Sequence, residues 1–202
     1  MVAPAASAHP DLLSTSPGQG TQVASAPRQI EFRLSDTGQV SGPGGFLFDS
    51  KGTKLAATAA MSRDRETAIV TPKSRLRPGP YEAIVQIRSD EDGHVVQYPT
   101  VFCVGGCMSH GAKVTLPTDS GAKVTMDGTD PGLHTIRIAT RSRKGTVSFM
   151  SEQAPVPVLW KVKGDGRFAT ARVILPYSST WTAIFDLAGG GSTGGLHVAT
   201  ID

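Results

Sequence analysis

Two places in this 202-residue chain hold nitrogen and oxygen side chains best suited to gripping a metal ion: His9, and the segment Ser89-Asp90-Glu91-Asp92-Gly93-His94. In that segment a single glycine separates Asp92 from His94. The backbone can therefore turn tightly and aim a carboxylate and an imidazole at one point. Such a donor pair suits a borderline or transition metal. Asp-Gly is also common hairpin chemistry, so the pair alone describes an ordinary turn beside an exposed histidine equally well.

His9 strengthens the metal reading. It follows Ala6-Ser7-Ala8, which fits the small-x-small pattern of a signal-peptidase site cut just before His9. The charged and apolar parts of a signal peptide are not among residues 1–8, which read equally as an alanine-rich leader. After such a cut, His9 would carry an α-amine and an imidazole together. One residue then supplies two ligands, which lowers the ordering cost of the site. A nitrogen from His94 and an oxygen from Asp92 would complete a tetragonal N,O set. That geometry suits Cu(II), which heads the affinity order of the divalent metals. The same cleavage pattern predicts an exported, extracytoplasmic protein of the periplasm or cell envelope.

These residues need strands to position them, and the pattern supplies strands. Residues 29–34 alternate, with Ile30, Phe32 and Leu34 on one face and Glu31 and Arg33 on the other. Residues 81–88 alternate likewise through Tyr81, Ala83, Val85 and Ile87, and residues 95–104 form the returning strand. The polar loop with the candidate ligands lies between these two. Shorter strands are expected over residues 45–48 and 67–70, with turns at Asp49-Ser50-Lys51-Gly52 and Leu76-Arg77-Pro78-Gly79-Pro80. Gly105-Gly106 then breaks the pattern. Further strands are expected over residues 113–116, 122–126, 133–140, 146–150, 156–161, 168–175, 181–187 and 196–201. No amphipathic helix of ten residues or more is legible. Short strands at regular spacing predict an all-β chain of two immunoglobulin-like Greek-key β-sandwiches in tandem, over residues 9–105 and 111–202. Trp160 and Trp181 are expected in the core of the second.

Composition agrees. The 23 Gly and 14 Pro favour turns over helices, and 39% hydrophobic with 18% charged residues is a globular balance. The net charge of +3 is mild. Its densest basic group, Arg141, Arg143 and Lys144, reads as a solvated turn, so no nucleic-acid partner is expected. No stretch approaches the roughly 18–20 apolar residues of a membrane span. Cys103 and Cys107 are too few for a disulfide scaffold. They permit one bridge or two inert thiols, and export favours the bridge. With Met108 and His110 they could instead form a soft Cu(I) cluster. His134 and His197 carry no motif and read as structural or exposed.

Several elements stand in a telling order: His9-Pro10-Asp11-Leu12, Ser16-Pro17-Gly18-Gln19-Gly20, Ala26-Pro27 before the first clear strand, Leu76-Arg77-Pro78-Gly79-Pro80-Tyr81, and the Ser89–His94 loop, with Phe102 and Val104 closing the domain. This succession resembles the CopC family of copper-binding proteins over about half the chain. The resemblance implies a β-sandwich that binds Cu(II) through the amine and ring of its first histidine plus the Asp and His of the Asp-Gly-His loop. By motif position those are His9, Asp92 and His94. It also implies a binding protein rather than an enzyme, with a membrane copper importer of the CopD type as partner. Three departures stand out. Pro10 replaces the usual small residue. Glu91 lengthens the loop by one, so that Asp90 competes with Asp92 as oxygen ligand. Met61, Met108, Met126 and Met150 are dispersed, which predicts no methionine-rich Cu(I) site in the first domain. The second half, through Pro131-Gly132-Leu133-His134-Thr135-Ile136, Gly164-Asp165-Gly166-Arg167-Phe168 and Ser179-Thr180-Trp181, loosely resembles small β-sandwich modules appended to copper import and resistance membrane proteins. It is expected to be a packing or partner-docking module.

The leading expectation is therefore a copper carrier or buffer used in resistance or delivery, with no catalytic residues. Two other readings compete. A lytic polysaccharide monooxygenase also uses an N-terminal histidine chelate, but it needs an aromatic substrate face that this chain does not supply. A metal-free adhesion or scaffold protein of two sandwiches would take up no copper.

Overall fold

The computed structural model describes residues 9–108, 111–188 and 195–201, and every regular element among them is a strand. The first half contributes β1 (Leu12–Ser16), β2 (Gln22–Val23), β3 (Ile30–Leu34), β4 (Gly38–Phe48), β5 (Ala57–Met61), β6 (Thr67–Pro72), β7 (Gly79–Ser89) and β8 (Val95–Val104). They form two four-stranded sheets, ordered β1-β3-β6-β5 and β2-β8-β7-β4. The alternation legible in the sequence decides which faces meet. Ile30, Phe32 and Leu34 are buried while Glu31 and Arg33 point to solvent. Tyr81, Ala83, Val85 and Ile87 face them from β7, with Leu47, Phe102 and Val104. Tyr81 stacks on Phe102 with ring centroids 5.8 Å apart and donates its hydroxyl to the Arg77 carbonyl at 2.8 Å. The turn before β7 is thereby tied to the core that the strand enters.

The second half contributes β9 (Val114–Leu116), β10 (Val124–Met126), β11 (Gly132–Ala139), β12 (Lys144–Ser151), β13 (Val158–Gly164), β14 (Phe168–Leu175), β15 (Trp181–Leu187) and β16 (Gly195–Ile201). Here the structure departs from the expected pair of sheets. All eight strands belong to one antiparallel sheet, ordered β16-β15-β12-β13-β14-β11-β10-β9. The run β15-β12-β13-β14 is a Greek-key order, because β15 returns past its hairpin partners to lie beside β12. The sheet curls until its outermost strands meet at the Thr118↔Ala199 bridge. Asp119 fastens that seam: its N–H donates to the Val198 carbonyl at 3.2 Å, and its Oδ1 accepts the Val198 N–H at 3.0 Å. Bringing the edges together covers strand groups that two open sheets would leave unpaired. Trp181 and Trp160 are both buried in this half's core, as their size predicts.

β7 has a second buried face. Pro80 through Val85 are all buried, because Glu82 and Ile84 turn away from the first half's core and pack against the second half. Phe48, Val101 and Cys103 join them, so the outer face of the β2-β8-β7-β4 sheet shares one continuous apolar cluster with Trp160, Tyr177 and Trp181. Cys103 and Cys107 form a disulfide that pins the end of β8 to the connection between the halves. The Cys107 carbonyl then accepts the Leu133 N–H at 2.5 Å, tying the connection to β11.

Candidate metal centre

The loop between β7 and β8 is built around Ser89. Its N–H donates to the His94 carbonyl at 2.9 Å and its carbonyl accepts the Gly93 N–H at 3.1 Å. Its hydroxyl accepts the N–H of Glu91 at 3.1 Å and of Asp92 at 3.4 Å. Gly93 sits at φ 75°, the left-handed conformation that glycine takes without penalty. This geometry folds Asp92 back on His94. Asp92 Oδ1 accepts the His94 N–H at 3.0 Å, and Oδ2 lies 2.8 Å from His94 Nδ1. The backbone hydrogen bond from His94, followed by the Ser89 and His94 side-chain interactions, holds the Asp92 carboxyl below the usual range. Asp92 is therefore an anion beside an imidazole whose side chain is 75% exposed. An imidazole hydrogen-bonded to a carboxylate at one nitrogen is fixed in orientation, with its other nitrogen left for a ligand.

Asp90, the expected competitor, is already engaged. Arg65 Nη2 lies 2.5 Å from its Oδ2, and Gln39 Nε2 donates to its Oδ1 at 3.0 Å. The Gln39 hydrogen bond leads the effects that lower its pKa. Of the three acids of the loop, Asp90 thus goes to Arg65 and Gln39, and Asp92 to His94.

His9 is exposed at the head of the described chain. Next to it, Pro10 is buried and its carbonyl accepts a hydrogen bond from the Tyr98 hydroxyl on β8. The Asp11 N–H donates to Ser35 Oγ at 2.8 Å, and the Ser35 N–H returns to the Asp11 carbonyl at 2.9 Å. Ser35 belongs to the β3–β4 connection, and Gln39, which grips Asp90, opens β4 just beyond it. The chain start and the ligand loop are thus moored to one connection at the same end of the sandwich. Asp92 and His94 touch. His9 shares their end of the domain but does not join them, and among the described residues no three His, Cys, Asp or Glu side chains form a metal-binding group.

The soft-ligand alternative loses its thiols, because Cys103 and Cys107 are bonded to each other and both are buried. Met108 is exposed. His110 and the Ala6-Ser7-Ala8 cleavage pattern lie outside the described residues. Sequence reasoning missed the moorings of the site, Tyr98 and Ser35. A tyrosine with one polar atom in a half-buried strand was the available signal for the first.

Two packed four-stranded sheets with a carboxylate–imidazole loop at one end make the first half a small β-sandwich. Residues 12–105 match the family model of the CopC domain, so the first half of this chain is a CopC domain. Among solved structures, CopC from Methylosinus trichosporium OB3b is 24% identical, with 48% of this chain and 93% of that chain covered and a TM-score of 0.43. PcoC, a methionine-rich copper resistance protein from Escherichia coli, is 26% identical, with 48% and 99% covered and a TM-score of 0.42. No curated protein matches the chain.

Proposed function

We propose that this protein is an extracytoplasmic Cu(II) carrier, taking copper as cargo through His9, Asp92 and His94 for buffering, resistance or delivery to a membrane importer of the CopD type. The observation that carries this reading is the Asp92–His94 contact at 2.8 Å in a loop whose Asp90 is consumed by Arg65. The ionised carboxylate orients the ring as it stands, and to supply an oxygen donor beside the ring nitrogen it would release Nδ1 when copper binds. The free amine of a chain starting at His9 would add the nitrogen pair that a tetragonal Cu(II) site requires. Ligand nitrogens must be unprotonated, so copper affinity falls as the pH drops below about 6, where imidazoles generally protonate. The second half serves as a companion module rather than as a ligand donor.

The test is Cu(II) titration followed by paramagnetic resonance, on the wild type and on His94→Ala. One tight equivalent with nitrogen hyperfine structure, lost in the variant, is expected. Equal uptake by both proteins would move the site elsewhere. No tight uptake by either would favour the metal-free scaffold.

A further inference from the structure

Where the two halves meet, the second sheet of the CopC domain carries a buried acid. Glu82 has no exposed surface. The strand register sets Phe48 of β4 and Val101 of β8 beside it, both apolar. From the second half comes Tyr177, in the connection after β14, whose hydroxyl lies 2.7 Å from Glu82 Oε2. Ser151 at the end of β12 lies 2.9 Å from the same hydroxyl and accepts the Ala154 N–H at 3.0 Å. Trp181 holds the tyrosine in place, with rings 5.0 Å apart and its indole N–H donated to the Tyr177 carbonyl at 3.2 Å. Phe48 covers the other side, 5.9 Å from the Tyr177 ring.

Among the described residues Glu82 Oε1 has no hydrogen-bond partner. Tyr177 is the titratable group facing Glu82, and no cation acts on it from β4, β8, β12 or β15. A carboxylate in such a place bears an uncompensated charge, which is far costlier than a buried neutral group. A neutral carboxyl fits instead. While Glu82 is ionised the Tyr177 hydroxyl donates to Oε2; on protonation the pair reverses, Oε2–H donating to the Tyr177 oxygen and Tyr177 to Ser151 Oγ, and Oε1 remains an uncharged carbonyl.

The contact has neighbours that hold the halves in register. Trp160 of β13 lies over Gly20, where an added Cβ would come within 2.4 Å of the indole. The Gln153 amide donates to the Gly52 carbonyl. The polar trio therefore sits inside an apolar junction bounded by tight contacts.

We propose that the second half is a cap fixed on the outer face of the CopC sheet by a proton-operated clasp, in which protonated Glu82 is shared with Tyr177 and Ser151, so that acidification tightens the junction and a rise in pH loosens it. This goes beyond the copper reading and uses none of its ligands. Burial pushes the Glu82 carboxyl up to about 7 from an ordinary 4.5, opposed in part by the Tyr177 hydrogen bond. A carboxyl whose pKa rises on burial makes the joined state bind a proton that the parted state releases. Its contribution is complete below about 4.5, declines as the pH climbs towards 7, and is gone above.

The test compares the full-length wild type with Glu82→Gln and Tyr177→Phe. Urea midpoints are measured between pH 5 and 8, and glutamate carboxyl carbons are titrated by NMR. One carboxyl in the wild type should titrate near neutrality, should be missing in Glu82→Gln, and should shift its midpoint in Tyr177→Phe. The midpoint of Glu82→Gln should fall less with pH than that of the wild type. If Glu82→Gln fails to fold, the wild-type carboxyl titration decides alone. An unchanged pH slope in a folded Glu82→Gln, or every glutamate titrating below pH 5, overturns the proposal.

Discussion

His94 and His134 show how differently the two halves use one residue type. Each lies near an aspartate at the edge of a strand. In the CopC half, Asp92 presses on His94 Nδ1 at 2.8 Å while the ring stands in solvent. In the second half, His134 is buried on β11, its Nε2 is 2.5 Å from the Asp130 carbonyl, and Asp127 Oδ1 lies 3.5 Å from Nδ1. The second ring is packed into the fold and the first stands clear of it. Loop construction explains the contrast: Asp-Gly-His lifts its imidazole off the end of a sandwich, whereas His134 lies within a strand whose alternate residues are buried. The same Asp–His proximity therefore arises in two different settings, one exposed and one buried.

Exchanging the two histidines for alanine should break the comparison most sharply. His94→Ala should cost about 100-fold or more in Cu(II) affinity, about 2.8 kcal/mol or more of binding at 1.4 kcal/mol per decade, with the thermal midpoint hardly moved. His134→Ala should do the reverse, leaving copper uptake intact while losing about 2–3 kcal/mol of stability from the vacated buried group and its hydrogen bond, as measured by urea denaturation. Next come the loop acids. Asp92→Asn should lower Cu(II) affinity by about tenfold or more, on the scale of a ligand-orienting partner. Asp90→Asn should leave it within about threefold, because Asp90 already serves Arg65 and Gln39. Equal losses from both would mean that the loop rearranges on binding and that Asp90 reaches the metal. The smallest effect is expected from Met108→Leu, which should leave copper binding and stability unchanged, since Met108 is exposed beside a closed disulfide.

The fold was legible wherever one face of a strand is buried and the other is wet. The period-2 run at Ile30–Leu34 and the returning strand Val95–Val104 both emerge, and Phe168–Leu175 and Trp181–Leu187 appear with the expected limits. β1 and β5 escaped because Leu-Leu-Ser-Thr-Ser and Ala-Thr-Ala-Ala-Met carry little apolar contrast, and both form sheet edges. The second buried face of β7 escaped for another reason. Glu82 interrupts the apolar run, and nothing local shows that a tyrosine 95 residues later will cover it. The curl of the second sheet also depends on pairing between distant strands, Thr118 with Ala199, which a local pattern does not encode. At the site, donor types and spacing were legible in Asp92 and His94. The division of labour between Asp90 and Asp92 required Arg65, which comes from the β5–β6 turn.

The central claim is that copper is gathered at one end of the CopC domain by His94, Asp92 and the amine-bearing His9. Its most direct test is a Cu(II) titration by paramagnetic resonance on two forms of the full protein, one beginning at His9 and one retaining residues 1–8. The account predicts one tight, nitrogen-rich tetragonal site in the first form and markedly weaker binding in the second. Identical affinity and identical spectra in both forms would contradict it, removing His9 from the site.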